Sequence, residues 1–186
     1  MKKIPTLFVR NVENMKLVTS DINPEVAWML EGGAVGTIKK DGTNICVTIL
    51  DGKCIKVEKR RNPTREEKAL GQEPAYIDTD RNDPQDQYII AAVDATVFDN
   101  WPNGKWSCEA LGPKIQGGIE SKVPLLYPFE FDPSIIDENV EITFESIKQY
   151  LTNHAIEGIV WYKKTADGTK FAKIKRRDFG LKWPAN

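Results

Sequence analysis

Residues 39–44, Lys39-Lys40-Asp41-Gly42-Thr43-Asn44, combine side chains that could react with a phosphate group. A lysine amine is a nucleophile once it has lost its proton. Gly42 has no side chain, so a phosphate could approach the backbone there closely. β-branched and polar residues alternate from 34 to 50 and predict a strand, a turn at Asp41-Gly42 and a second strand. A solvated lysine beside a hairpin turn has the same pattern, so residues 39–44 alone do not identify a site.

Three further segments carry charged residues that could act with Lys39. Glu109 lies in Ser-Cys-Glu-Ala-Leu-Gly (107–112), Glu157 lies in Ile-Glu-Gly-Ile-Val-Trp (156–161), and Lys173 and Lys175 flank an isoleucine. Residues two apart on a strand face the same way, so Lys173 and Lys175 should share one face while the isoleucine between them enters the core. Positive charge near an amine disfavours its ammonium form, and it also neutralises phosphate oxygens.

Together these segments resemble the motifs of the covalent nucleotidyltransferases, the group of ATP-dependent DNA ligases, RNA ligases and mRNA capping enzymes. Their motifs are K-x-D-G, a glutamate-bearing strand, E-G-h-V and h-K-h-K, where h is apolar. Residues 39–44 resemble the first motif of phage RNA ligases. Residues 109–117 resemble the glutamate motif of RNA ligases, and residues 157–184 resemble the vertebrate-type 5′-3′ RNA ligase family. The resemblance therefore extends over nearly the whole chain.

The resemblance implies an ATP-dependent RNA ligase in which Lys39 becomes covalently adenylated. AMP would then pass to the 5′-phosphate of an RNA, and that end would be joined to a 3′-hydroxyl. Mg²⁺ or Mn²⁺ would assist, with Glu157 near both the metal ion and the attacking amine. Lys173 and Lys175 would face the phosphates, and Glu109 would bind the ribose hydroxyls.

The resemblance also assigns binding roles near the nucleophile. Asn44 corresponds to an asparagine that contacts substrate phosphate in related ligases, and Asp41 and Gly42 belong to the motif itself. Asp41 is interpreted mainly as a structural residue of its turn. An arginine about 20 residues after the nucleophile is expected to contact phosphate or ribose. Both Arg60 and Arg61 lie there, and strand alternation allows only one of them to face the site.

The expected fold is an α+β nucleotidyltransferase core of mixed, mainly antiparallel sheets flanked by helices, in a single domain over residues 1–186 without a separate C-terminal or OB domain. Further strands are predicted at 54–57, 106–110, 158–162 and 171–175, and a helix at 143–154 with Thr143 as its N-cap. Residues 60–87 contain three prolines, and this composition predicts a segment that runs over the protein surface. Residues 88–98 fit either a strand or a helix, and the strand is favoured.

Composition restricts where a nucleic-acid site could lie. The net charge is only −1 with 28% charged residues, so a basic surface must be local. The candidate is the basic run in residues 163–182, which contains Lys163, Lys164, Lys170, Lys173, Lys175, Arg176, Arg177 and Lys182.

Other features of the sequence favour a soluble cytoplasmic protein without an obligate protein partner. It has no apolar run long enough for a membrane span. The three cysteines, odd in number and without a C-x-x-C pair, indicate reduced, partly buried thiols. Trp161 and Trp183 could stack on a base, but a core position is favoured for both.

The motifs leave two alternatives to an RNA ligase. A DNA ligase or capping guanylyltransferase core is opposed by residues 109–117 and by the expected lack of an OB domain. A catalytically inactive nucleic-acid-binding module is opposed by the presence of every motif lysine and glutamate. Ile38 stands where many of these ligases carry an acidic or polar residue near the adenine. The choice between ATP and GTP therefore rests on the likeness to ligases.

Overall fold

A computed structural model describes residues 3–129, 136 and 140–185. The fold is mixed α+β, with mostly antiparallel sheets and a few helices, which confirms the expected class. The strands are β1 (Phe8–Arg10), β2 (Val18–Ile22), β3 (Val35–Lys39), β4 (Thr43–Leu50), β5 (Lys53–Arg61), β6 (Ala75–Asp78), β7 (Gly104–Leu111), β8 (Leu125–Pro128), β9 (Gly158–Thr165) and β10 (Gly168–Lys175). The α-helices are α1 (Arg65–Ala69), α2 (Gln87–Asp94) and α3 (Phe144–Asn153), and 3₁₀ helices cover Pro24–Glu31, Gln116–Gly118 and Arg176–Phe179.

The chain forms two compact units. The terminal unit comprises Ile4–Lys40 and Ser134–Asn186, and the central unit comprises Met1–Lys3 and Asp41–Pro133. The boundary between the units falls between Lys40 and Asp41, inside the K-x-D-G motif. The expectation of a single domain stays a prediction.

The terminal unit contains a three-stranded antiparallel sheet in the order β10-β9-β3 and a separate β1-β2 pair. Helix α3 packs its apolar side into the core of this unit, where Ile147 and Leu151 are fully buried with Ile159 and Ile174 of the sheet. Its first turn is capped by Thr143, whose hydroxyl accepts a hydrogen bond from the backbone N–H of Ser146 at 3.3 Å. The predicted helix and its cap are confirmed.

The central unit contains a five-stranded antiparallel sheet in the order β6-β5-β4-β7-β8. Its core lies on one face, where Ile45, Val47 and Ile49 of β4 pack against α2 and neighbouring strands. A hairpin turn at Asp51-Gly52 joins β4 to β5. Both turn residues have positive φ angles, 49° and 70°, as a two-residue hairpin of this twist requires.

Two sequence predictions about the central unit need correction. Residues 88–98 do not form a strand, because α2 occupies Gln87–Asp94. The buried positions Ile89, Ile90 and Val93 recur at the three-to-four-residue spacing of a helix, which outweighs the β-branched composition. Residues 60–87 do lie mostly on the surface, but they also contain α1 and the edge strand β6, which pairs with β5.

The predicted turn at Asp41-Gly42 does not join paired strands. β3 pairs with β9, whereas β4 pairs with β5 and β7, so the two strands belong to different sheets. The alternating pattern correctly identified two strands, but such a pattern does not indicate which strand is the partner of each.

Two further expectations concern the helices and the cysteines. Among the described helices, none has the length and apolar composition that crossing a membrane requires. The three cysteines are all free, and Cys46 and Cys108 are buried.

Candidate active site

Lys39 ends β3 in the terminal unit and lies in a row with two residues of the neighbouring strands. Gly158 of β9 is its cross-strand partner, and Gly158 also pairs with Lys175 of β10. Lys39 and Lys175 therefore flank a residue that has no side chain. Since adjacent strands are about 4.8 Å apart, two long cationic side chains emerge from nearly the same level of the sheet.

The carboxylate of Glu157 binds both lysines. One of its oxygens, Oε2, contacts Nζ of Lys39 in a short ion pair, and Oε1 accepts a hydrogen bond from Nζ of Lys175 at 2.7 Å. Glu157 is only 4% exposed. A buried carboxylate requires compensation, and here each oxygen has a charged donor. Nζ of Lys39 also donates to the carbonyl oxygen of Lys40 at 3.2 Å.

Strand β10 positions Lys173 and Lys175 as its alternation predicts. Ala172 and Ile174 are completely buried in the core of the unit, whereas the two lysines are partly exposed on the opposite face. The backbone N–H of Lys175 donates to Asp178 at 2.8 Å, which fixes the end of the strand. Lys173 thus lies on the same face as Lys39 and Lys175. Its cross-strand partner is Val160, two residues along β9 from Gly158.

Packing explains why residue 158, in the E-G motif, is a glycine. A Cβ on Gly158 would collide with the backbone carbonyl oxygen of Ile174 and would lie 2.9 Å from Cα of Lys175. Backbone atoms cannot rotate away from such a contact. Gly158 therefore permits the close approach of β9 and β10 beside the Lys39–Glu157–Lys175 cluster.

Arg176, which follows Lys175, is not part of a basic surface, contrary to the sequence interpretation. It is only 7% exposed, and its guanidinium donates to the carbonyl oxygens of Leu151, His154 and Lys182. The N–H of Arg176 also donates to the carbonyl oxygen of Glu157 at 2.9 Å. Arg176 thereby anchors the loop that delivers Glu157, a positioning role that its place in a basic run did not suggest.

Gly42 and Glu109 meet in the central unit. The N–H of Gly42 donates to Oε1 of Glu109 at 3.2 Å, and a Cβ on Gly42 would lie 2.7 Å from Cγ of Glu109 and closer still to the carbonyl oxygen of Ala110. The absent side chain of Gly42 therefore makes room for β7. The structure thus gives a different reason for this glycine from the phosphate approach predicted from sequence.

Asp41 lies beside Gly42 at the start of the central unit. Its backbone N–H donates to the carboxylate of Glu120 at 3.2 Å. Sequence reasoning did not single out Glu120, because no motif spacing connects residues 41 and 120. The interpretation of Asp41 as mainly structural stays a prediction.

Asn44 and Glu109 are cross-strand partners, so they share the face of the five-stranded sheet that lies opposite its core. The side-chain oxygen of Asn44 accepts a hydrogen bond from the hydroxyl of Tyr76 at 2.8 Å, and its amide donates to the carbonyl oxygen of Cys108 at 3.4 Å. Burial raises the pKa of Tyr76, so its hydroxyl stays protonated and donates at neutral pH. Tyr76 thus lies on the face of the candidate binding residues, and no feature of the sequence indicated this.

The structure distinguishes the two arginines of β5. Arg60 is the cross-strand partner of Tyr76 and therefore lies on the face that carries Asn44 and Glu109. Its Nε is buried and has no hydrogen-bond partner among the described residues. Arg61 points the other way and binds both oxygens of Glu67, at 2.7 and 2.8 Å. Of the pair, Arg60 shares a face with the other predicted binding residues.

The expected Mg²⁺ or Mn²⁺ ion would require oxygen ligands. Within residues 3–129, 136 and 140–185, no group of three or more His, Cys, Asp or Glu side chains is arranged to hold a metal ion. Mg²⁺ is commonly bound by one or two carboxylates together with substrate phosphates and water. A single carboxylate such as Glu157 fits that mode, in which most of the ligands come from the nucleotide.

The predicted site residues therefore form two sets. Lys39, Glu157, Lys173 and Lys175 lie together in the terminal unit. Asp41, Gly42, Asn44, Arg60, Arg61 and Glu109 lie in the central unit. Trp161 is 3% exposed in the core of the terminal unit, which confirms the core interpretation for this tryptophan.

Two comparisons with known proteins were negative. No protein-family model matches the chain, and no curated protein is significantly similar to it.

Proposed function

We propose that the chain is the catalytic core of an ATP-dependent RNA ligase that transfers AMP from ATP to Lys39. The observation that carries the proposal is the Lys39–Glu157–Lys175 cluster. The strand-end lysine Lys39 contacts a buried carboxylate, Glu157, that lies 118 residues away in the sequence, and the same carboxylate also binds Lys175. An incidental surface lysine would not require these partners.

The first chemical step forms one bond and breaks one. The neutral amine of Lys39 attacks the α-phosphorus of ATP, the N–P bond forms, and the bond from that phosphorus to the bridging oxygen of pyrophosphate breaks. Pyrophosphate leaves with the bonding electrons. The Glu157 carboxylate touches Nζ and can accept a proton from it, while Lys175 and Lys173 offer positive charge to the phosphate oxygens.

A magnesium or manganese ion held by Glu157 and the ATP phosphates would add further positive charge to the phosphate oxygens. The protein residues nevertheless provide the nucleophile and its orientation. Because Glu157 holds the two lysines in one geometry, positioning is the main contribution of this cluster.

The later steps rest on the resemblance to RNA ligases. An RNA 5′-phosphate oxygen attacks the phosphorus of lysyl-AMP, which frees Lys39 and leaves AMP on the RNA end. The 3′-hydroxyl of a second end then attacks that 5′-phosphorus, and AMP departs. The resemblance assigns Glu109 to ribose hydroxyls, Asn44 to substrate phosphate, and Arg60 or Arg61 to phosphate or ribose. Arg60 is the one of the two that shares a face with Asn44 and Glu109. The three free cysteines suit a reducing compartment such as the cytoplasm.

Intact-mass measurement of the protein with ATP and Mg²⁺ tests the first step. We expect a species heavier by one AMP, which disappears in Lys39→Ala and persists in the matched variant Lys40→Ala. Labelled ATP and GTP, offered separately, should label the protein only with the adenine nucleotide. Absence of any adduct with Mg²⁺ or Mn²⁺ over a range of pH contradicts the proposal, and a guanylyl adduct supports the capping-enzyme alternative.

A further inference from the structure

The face of the β10-β9-β3 sheet that carries Lys39 continues beyond the reactive cluster to two aromatic residues. We propose that Tyr162 and Phe171 form a stacking platform for the bases of a single-stranded nucleic-acid end, whose phosphates contact Lys164 and Lys173. The inference rests on the proposed function, because it names how the RNA to be joined is held beside Lys39.

The strand register places these residues on one face. Phe171 is the cross-strand partner of Tyr162, and Lys173 and Lys175 follow on β10 at two-residue intervals. The intervening residues Ala172 and Ile174 are fully buried in the core. The aromatic pair therefore faces away from the core, on the same side as Lys173 and Lys175.

The two aromatic residues are not explained by core packing. Both are half-buried, and neither contributes to either hydrophobic core in the part of the chain that the structure describes. Their nearest aromatic neighbour on the strand, Trp161, is turned inward and buried. Aromatic side chains bind the π-face of any base, so an aromatic pair outside the core suits sequence-tolerant recognition of unpaired bases.

The distance along the sheet would allow a nucleic-acid end bound at the platform to reach the Lys39–Glu157–Lys175 cluster. Phe171 precedes Lys175 by four residues, which at about 3.3 Å per residue corresponds to roughly 13 Å. Bases bound at the platform would lie within a few nucleotides of the amine of Lys39, whose row contains Lys175.

The charge of this face is complementary to a polyanion. Its strand residues include Lys39, Lys164, Lys173 and Lys175, and Glu157 at the end of the face is the carboxylate already bound by two of them. The other strand residues on the face are neutral: Val35, Thr37, Gly158, Val160, Tyr162, Thr169 and Phe171. Lys163, on the opposite face, is paired with Glu31 at 3.2 Å. Lysines beside aromatic residues form the usual combination for single strands.

Fluorescence anisotropy with a labelled, 5′-phosphorylated single-stranded oligoribonucleotide tests the platform. We expect Tyr162→Leu and Phe171→Leu each to weaken binding by about 5- to 100-fold. The matched control Tyr88→Leu, which removes an exposed tyrosine of α2, should leave binding unchanged. Lys164→Met is the second variant, because Lys164 is exposed and its loss should not affect folding. It should weaken binding and flatten the salt dependence.

The readouts separate this inference from the proposed function. AMP-adduct formation at saturating ATP should be the same in the wild type and in the Phe171→Leu and Lys164→Met variants. If the wild type forms no AMP adduct but binds the oligonucleotide through Tyr162 and Phe171, the proposed function is contradicted and the platform is supported. Unchanged oligonucleotide binding in both leucine variants and in Lys164→Met overturns the platform. A raised KM for ATP in the leucine variants with unchanged oligonucleotide binding also overturns the platform, because the two rings would then bind the base of ATP.

Discussion

Replacing Gly158 with alanine would add one methyl group between β9 and β10. The new Cβ would overlap the carbonyl oxygen of Ile174 and lie 2.9 Å from Cα of Lys175. Overpacking usually costs about 1–3 kcal/mol, and the upper half of that range applies because both neighbours are backbone. A gain of about 0.4–1 kcal/mol from the stiffer unfolded chain offsets part of it. The net loss should be about 2 kcal/mol, or a fall in Tm of roughly 4–8 °C for a chain of this size.

Thermal unfolding of Gly158→Ala beside Gly112→Ala measures this effect. Gly112 is the matched control because its added Cβ would meet Cα of Pro124 at 3.4 Å, an ordinary contact. The control should change the free energy of unfolding by less than about 1 kcal/mol. AMP-adduct formation should also fall in Gly158→Ala, because Lys39 and Lys175 flank the altered position. Equal melting temperatures for the two variants would refute the reasoning that β9 and β10 cannot separate at this point.

Two further predictions concern the polar face of the central unit. Tyr76→Phe removes the donor to Asn44 and should lower the free energy of unfolding by about 1 kcal/mol, measured by denaturant titration; an unchanged midpoint would show that this hydrogen bond adds no net stability. Hydrogen bonding from Lys105 lowers the pKa of the buried Glu58 carboxyl. The pair therefore stabilises the fold fully above the pKa of an unfolded glutamate, about 4.3. This stabilisation is lost as the pH falls through the lower pKa of Glu58 in the folded protein. Lys105→Met should therefore lower Tm at pH 7, and the difference from wild type should shrink towards pH 3; a difference that is constant with pH would contradict the assignment.

The sequence predicted local structure well where the signal was local. Thr143 identified the start of α3, and the alternation around Ile174 correctly placed Lys173 and Lys175 on one face. Both features depend on residues within one turn or one strand, so no distant partner was needed to find them.

Features that depend on distant partners could not be predicted. The pattern of β3 and β4 does not show that they join different sheets. Arg60 and Arg61 have the same side chain, so only the pairing of β5 with β6 distinguishes them. The hydroxyl of Tyr76 on β6 reaches Asn44 on β4 across the intervening strand β5, and the two residues are 32 apart in the sequence.

Residues 5–7 pair with the outer edge of β10, the strand that carries Lys173 and Lys175. The N–H of Lys173 donates to the carbonyl oxygen of Pro5 at 3.0 Å, and its carbonyl oxygen accepts from Leu7 at 2.8 Å. Residues 5–7 thereby cover the outer edge of β10 at Lys173, whose backbone groups would otherwise be open to another chain. A shortened protein beginning after Leu7 would keep every motif residue, yet it would have a newly open sheet edge and a tendency to associate edge to edge.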